Sequence, residues 1–93
     1  MSDSLWKIIK WNEEKNEILK LARNISFEDV LEAIDNWNFF KIELHPDQGK
    51  YPWQKKIFIE VLEYIYVVPF VENEEEIFLK TIYPSRKDTK KFL

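Results

Sequence analysis

The sequence contains no cysteine and only one glycine, Gly49, among its 93 residues. Without cysteine no disulfide can supplement the hydrophobic core, so the fold must rest on packing alone. The four prolines fall in the second half, and no Gly- or Ser-rich stretch resembles a flexible linker. We therefore predict a single domain that spans residues 1–93.

Long hydrophobic runs are also missing. The longest lies around residues 65–68 and is far too short to span a membrane, and the opening MSDSLWKIIKW has no signal-peptide core. These absences predict a soluble, cytoplasmic protein with no membrane partner. The sequence also lacks a Gly-rich phosphate loop and a Ser-His-Asp arrangement, and a lone histidine makes no metal site by itself. We expect no cofactor and no metal.

The first third of the sequence predicts one strand and two helices. Apolar residues alternate loosely over residues 5–11, and Asn12 and Asn24 are suited to begin and end the first helix. Ser26 is a candidate N-cap for the second helix, with Asp29 three residues later in a capping box. The second helix is predicted to end at residues 35–36.

From Trp37 onward, β-branched and aromatic residues dominate four runs: WNFFKIEL, QKKIFIEVL, YIYVVPFVE and EIFLKTIY. A short turn at Leu62-Glu63 predicts a hairpin between the second and third runs. Pro69 in the third run lacks a backbone donor, which predicts a bulge or an edge position there. The fold class is therefore α+β: an N-terminal strand, two short helices, then a four-stranded antiparallel β-meander, with a short basic C-terminal tail.

Charge is unevenly distributed along the chain. The formal net charge is −3, which argues against a general nucleic-acid binder. Residues 80–93 nevertheless carry five Lys and Arg against one Asp, a local sum of +4. A run of this kind is most often a solvated terminus. The functional alternative is a basic surface shared by the first helix and the tail.

Two stretches resemble the BrnT toxins of bacterial type II toxin–antitoxin modules: WNEEKNEILKLARNISFEDVLEAI at 11–34 and YPSRK at 83–87. Members of that family have a RelE/ParE-like fold and act as ribonucleases that stop translation. Each is neutralised by an antitoxin that usually carries a ribbon-helix-helix DNA-binding domain. The resemblance therefore implies an RNA substrate, a cognate antitoxin and a hetero-oligomer with it.

The resemblance also assigns individual positions. Lys15 matches the lysine of the family's first motif, and Arg86 matches the arginine of its closing motif. Arg23 stands where the family has a histidine, and only Lys55 or Lys56 is available for the family's strand arginine.

Metal-free RNA cleavage needs an activated 2′-hydroxyl, positive charge on the phosphate and a proton donor for the leaving oxygen. Arg86 is the candidate phosphate clamp, because a guanidinium holds two phosphate oxygens at once. Lys15 and Lys56 are candidates to assist, and we expect Lys15 and Arg86 to converge on one site. His45, the only histidine, is a candidate general acid or base in the loop at 45–53.

Other candidates would bind substrate without reacting. Tyr51 and Trp53 share the loop with His45 and could stack on bases. Arg23 and Lys87 are candidates for contacts with the RNA backbone. Each candidate also has a plain structural interpretation as a surface cation, a loop residue or an aromatic cover for the core.

Three functional hypotheses follow. The first is a metal-independent endoribonuclease toxin held in check by an antitoxin. The second is a catalytically inactive RelE-like protein-binding module, which the missing motif histidine and the acidic balance favour. The third is a structural accessory subunit whose exposed aromatic residues form an interface.

Overall fold

The computed structural model describes residues 7–93, so Leu5 and Trp6 of the predicted first strand lie outside the described residues. The elements in chain order are β1 (Ile8–Lys10), α1 (Glu13–Arg23), α2 (Phe27–Asp35), β2 (Phe39–Leu44), β3 (Gln54–Val61), β4 (Tyr64–Glu72), β5 (Glu76–Leu79), β6 (Tyr83–Pro84) and α3 (Arg86–Phe92). The fold is α+β, with three helices and a mixed six-stranded sheet over the described residues.

The predicted boundaries of the first two helices are confirmed. The Asn12 side chain accepts a hydrogen bond from the Lys15 N–H at 2.9 Å, and Asn24 ends α1 in the left-handed conformation at φ 55°. Ser26 and Asp29 form the reciprocal capping box at the start of α2. Local sequence signals therefore suffice to place these ends.

The sheet has the order β1-β5-β4-β3-β2, and β6 pairs with β4 beyond the end of β5. The predicted hairpin is present, and Leu62 and Glu63 both have positive φ, as a two-residue type I′ turn requires. Two features depart from a four-stranded antiparallel meander. Strand β1 adds to β5 in parallel, and the last predicted run divides into β5 and β6.

Pro69 explains where the last run divides. Strand β4 is central and pairs with β3 without a register shift, so Pro69 does not lie on an edge strand. On its other side the register shifts by one residue between the pairs Phe70–Leu79 and Val67–Tyr83, so the predicted irregularity lies opposite Pro69. The Pro69 carbonyl accepts a hydrogen bond from the Lys80 N–H at 2.9 Å. The side of Pro69 that would carry an N–H in another residue therefore faces the segment between β5 and β6. The ladder on that side of β4 is interrupted at the residue that cannot donate.

The two faces of the sheet are covered differently. On one, the helix-covered face, α1 and α2 pack over β3, β4 and β5 in a single buried core: Leu19, Ile25, Phe27, Val30, Ala33, Ile57, Ile59, Val68, Phe70, Leu79 and Ile82. Side chains alternate along a strand, so the residues between them point to the other side. That open face carries the smaller cluster of Phe58, Ile65 and Val67, with Tyr83 against it.

The predicted basic tail folds into α3. Ser85 begins the helix, and its hydroxyl accepts from the Asp88 N–H at 3.2 Å. The Ile65 N–H of β4 donates to the Thr89 hydroxyl at 2.9 Å, and Phe92 stacks on Phe40 with ring centroids 5.4 Å apart. These contacts dock α3 against the open face, so the terminal charges are held in place. None of the helices in residues 7–93 is long and apolar enough to cross a lipid bilayer.

Candidate functional site

The open face and α3 enclose a hollow of about 460 Å³. We call it the basic hollow, and its lining comprises Lys41, Glu43, Lys56, Phe58, Val67, Tyr83, Ser85, Lys87, Asp88 and Lys91. Four strands, β2, β3, β4 and β6, supply its floor, and α3 with Ser85 before it supplies one wall.

Strand register builds the floor. Lys41 of β2 lies opposite Phe58 of β3, Phe58 opposite Val67 of β4, and Val67 opposite Tyr83 of β6. Directly opposed residues in antiparallel strands bring their side chains together on one face. In the next row of the sheet Glu43 of β2 lies opposite Lys56 of β3, so a second lysine lies beside the first row.

An aromatic floor supports the Lys41 ammonium. The Nζ atom lies 4.6 Å from the ring centroid of Phe58 and 5.8 Å from that of Phe92. It also forms an ion pair of 2.9 Å with Glu43. The ring faces attract the cation, and the paired carboxylate partly balances its charge.

The wall is ordered by a network at the start of α3. The Ser85 hydroxyl donates to the carboxylate of Asp88 at 2.5 Å, and the Thr89 hydroxyl donates to the Ser85 carbonyl at 2.8 Å. Asp88 is only 6% exposed, so its carboxylate is engaged by the cap. Lys87 and Lys91 lie one helical turn apart, which places both ammonium groups along the hollow.

The hollow carries more positive than negative charge, with four lysines against Glu43 and Asp88. Among residues 7–93, Lys56, Lys87 and Lys91 have no carboxylate within ion-pair distance. Cations left without partners around a concavity attract anions. Tyr83, which is partly exposed, adds aromatic surface of the kind that stacks on nucleic-acid bases, whereas Phe58 is only 5% exposed and lies under the Lys41 ammonium.

A neighbouring lysine is used in a different way. Lys55 and Lys7 both bind Glu72, the latter at 2.7 Å, across β3, β4 and the start of the described chain. Burial alone would raise the pKa of Glu72, but the two lysines lower it below its ordinary value through hydrogen bonds and charge. Adjacent strand positions therefore carry a neutralised cation, Lys55, and one without an ion pair in the described part of the chain, Lys56.

Two of the predicted site residues line the basic hollow, Lys56 and Lys87. Arg86 is exposed at the first position of α3 and is not part of the lining. Lys15 lies on α1, whose buried Leu19 belongs to the core under the helix-covered face. The predicted convergence of Lys15 with Arg86 is therefore absent, because α1 and α3 pack on different faces of the sheet.

Arg23 has a structural contact. Its guanidinium donates to the main-chain carbonyl of Ile82, just before β6. The bond ties the end of α1 to the segment that leads into the basic hollow. Arg23 therefore stabilises the segment that leads into the hollow. The RNA contact proposed for Arg23 from the sequence is untested.

The loop at residues 45–53, which carries His45, Tyr51 and Trp53, lies outside the hollow. The His45 Nδ1 accepts from the Asp47 N–H at 3.0 Å, and its ring centroid is 4.5 Å from that of Tyr51. Trp53 is 52% exposed, and it lines a different depression together with Asn73 and the acidic side chains of residues 74–75. Carboxylates at that position disfavour a phosphate backbone beside the indole.

Several lining residues were not singled out from the sequence: Lys41, Glu43, Phe58, Val67, Tyr83, Ser85, Asp88 and Lys91. Alternation along β2 and β3 would have placed Lys41 with Glu43, and Lys56 with Phe58. The Ser-x-x-Asp pattern at 85–88 would have indicated a helix in the tail. No pattern in the sequence indicates that the strand residues of β2 and β3 and the helix in the tail lie on the same face of the sheet.

The described residues contain no group of three or more His, Cys, Asp or Glu side chains that could hold a metal ion. The chain matches no protein-family model, no curated protein and no solved structure.

Proposed function

We propose that the chain is a metal-independent ribonuclease toxin of the BrnT and RelE type, which binds single-stranded RNA in the basic hollow and is neutralised by an antitoxin. The observation that carries the proposal is the cluster of Lys56, Lys87 and Lys91 around the aromatic floor, none of which has an ion-pair partner within residues 7–93. Such a cluster suits a phosphodiester flanked by stacked bases.

The hollow also contains groups suited to proton transfer. Glu43 lies beside Lys56 on the floor, and Tyr83 reaches the same space from β6. A carboxylate can accept the 2′-hydroxyl proton, while lysine ammonium groups stabilise the charge that develops on the phosphate. In this proposal Lys56 and Lys87 bind the scissile phosphate, Glu43 is the candidate base that takes the 2′-hydroxyl proton, and the Tyr83 hydroxyl is the candidate donor of a proton to the leaving 5′-oxygen.

A binding experiment tests the site. Fluorescence anisotropy with a labelled single-stranded RNA should show that Lys56→Gln/Lys87→Gln weakens binding by about 10-fold or more and flattens its salt dependence. The matched control, Lys50→Gln/Lys80→Gln, removes the same charge from exposed positions outside the lining. Equal losses in both variants would show that only net charge matters, and would overturn the assignment of the hollow.

A second experiment tests the activity. Expression of the chain alone should arrest bacterial growth, and purified protein should cleave RNA in the presence of a metal chelator. Lys56→Gln/Lys87→Gln should relieve both effects, while Arg86→Ala should leave most of the activity. Relief by Arg86→Ala alone would shift the site to the exposed end of α3.

One observation favours a second candidate, an RNA-binding module without nuclease activity. The only histidine, His45, is held by Asp47 and Tyr51 and does not line the hollow. Intact RNA after incubation with protein that binds it through the hollow would select this alternative.

A further inference from the structure

Strand β2 forms one edge of the sheet, and its outer side has no partner strand within residues 7–93. His45, just past its end, donates its N–H inward to the carbonyl of Gln54, the first residue of β3. Backbone groups alternate in direction along a strand, so those of Ile42 and Leu44 point outward. The edge therefore presents free donors and acceptors beside two apolar residues.

The usual protection against pairing is limited to the start of this edge, where a register shift lies between Phe39 and Lys41. The edge carries no proline, and Ile42 and Leu44 are 53% and 58% exposed on the helix-covered side. The other edge strand, β1, is only three residues long and has Lys10 paired with Glu76. Strand β2 is the longer edge, it carries two exposed apolar residues, and its charges, Lys41 and Glu43, are of opposite sign, so β2 is the side suited to pairing.

The pattern along β2 is complementary to itself. If two antiparallel copies meet with Ile42 opposite Ile42, Lys41 of each copy lies opposite Glu43 of the other. The outward backbone groups of the two Ile42 residues then meet as a hydrogen-bonded pair. The charged pairs fall at the neighbouring positions, where opposed side chains come closest, and opposite charges there are favourable.

We propose that two copies of this chain pair through β2 in an antiparallel, two-fold symmetric arrangement centred on Ile42, which extends the sheet across both. A two-fold axis normal to the sheet keeps equivalent faces on the same side. The two basic hollows, each of which begins at Lys41, then lie side by side on one surface. The apolar groove lined by Phe39, Ile42 and Ile57 becomes continuous on the opposite surface.

Sedimentation equilibrium on the full chain tests the proposal. The wild-type protein should have twice the 11.4 kDa mass of the chain, and Ile42→Pro should reduce the mass to that of a monomer. The Ile42 N–H points outward, so proline there removes an intermolecular bond and no internal one. Circular dichroism checks that the variant is folded. A wild-type monomer at every concentration overturns the proposal and leaves this edge for a strand of another protein.

Charge exchange tests the register. In the single variant Lys41→Glu, two carboxylates face each other at each 41–43 pair between the copies, which should weaken the dimer by about 10-fold or more. The double variant Lys41→Glu/Glu43→Lys again places opposite charges at each pair and should restore dimerisation. Failure of the double variant to recover contradicts the register centred on Ile42.

Cross-linking gives an independent readout, because the chain has no cysteine. Ile42→Cys should form a disulfide-linked dimer under mild oxidation, since Cα atoms of such a pair are about 5.5 Å apart. Leu62→Cys, at an 89% exposed turn position, is the matched control. Equal cross-linking of the two variants would contradict the proposed interface.

Discussion

The helix-covered face and the open face of the sheet are built from the same strands, but they differ in whether polar side chains have partners. On the covered face, Asn16 is completely buried and satisfied on both sides: its amide donates to Glu28 at 2.8 Å and its oxygen accepts from the Phe27 N–H at 2.7 Å. On the open face, Lys56 and Lys87 have no carboxylate partner among the described residues.

The difference separates structural residues from candidate functional ones. A buried polar group must be paired, because the desolvation cost is otherwise uncompensated. Unpaired like charges around a hollow raise the energy of the folded state, and an anionic ligand would offset that cost. Changes on the covered face should therefore alter stability, and changes in the hollow should alter binding.

The largest effect on stability is expected from Phe27→Ala. Phe27 is fully buried under the helix-covered face and stacks on Trp11 with centroids 5.5 Å apart. Its removal should lower the free energy of unfolding by about 3–5 kcal/mol in urea titrations. Phe78→Ala, at a 40% exposed position, should cost about 1 kcal/mol or less. Similar losses in both variants would contradict the division between the faces.

Asn16→Ala should have the next largest effect. It leaves the Phe27 N–H at the start of α2 without a partner, which should cost about 1–3 kcal/mol. The bond from Asn16 also lowers the pKa of Glu28. Glu28→Gln keeps an acceptor for the Asn16 amide and serves as the milder comparison. An Asn16→Ala variant with the same free energy of unfolding as wild type would show that water replaces the buried amide.

Glu72→Gln should cost about 1–2 kcal/mol near neutral pH, because it breaks the ion pairs with Lys7 and Lys55. The pKa of Glu72 is lower when folded than its ordinary value of 4.5. Its contribution is therefore present above that value and is lost as pH falls through the folded pKa. Urea titrations should show the gap between wild type and variant closing in that acid range. Glu74→Gln, which removes a carboxylate from an exposed turn, is the matched control and should change the free energy of unfolding little at neutral pH.

The smallest effect on stability is expected from Lys56→Gln. Lys56 has no ion pair among the described residues, so its removal should change the free energy of unfolding by no more than about 0.5 kcal/mol. The same variant should bind RNA more weakly in anisotropy titrations. A large loss of stability would show that Lys56 has a structural role and would weaken the case for the hollow.

The elements that sequence predicts well are those with local signals. Asn12, Asn24 and the Ser26–Asp29 box mark helix ends through bonds to residues at most four positions away, so neighbouring residues determine them. The I′ turn at 62–63 is local in the same sense. The parallel pairing of β1 with β5 joins residues far apart in sequence, and no local pattern encodes it.

The site was predictable only in part for the same reason. Lys56 and Lys87 were candidates as cations, but their meeting depends on the register of β2 against β3, including the shift between Phe39 and Lys41. It also depends on which face α3 covers. Lys15 and Arg86 have equally suitable chemistry, and the packing of α1 on the other face separates them.

The most direct test of the account is an NMR titration of the isotope-labelled chain with a short single-stranded RNA. If the basic hollow binds RNA, amide shifts will concentrate in β2, β3 and α3 around Lys41, Lys56 and Lys87, while α1 and α2 change little. Shifts centred on Lys15 and the helix-covered face, or none at saturating RNA, would contradict it.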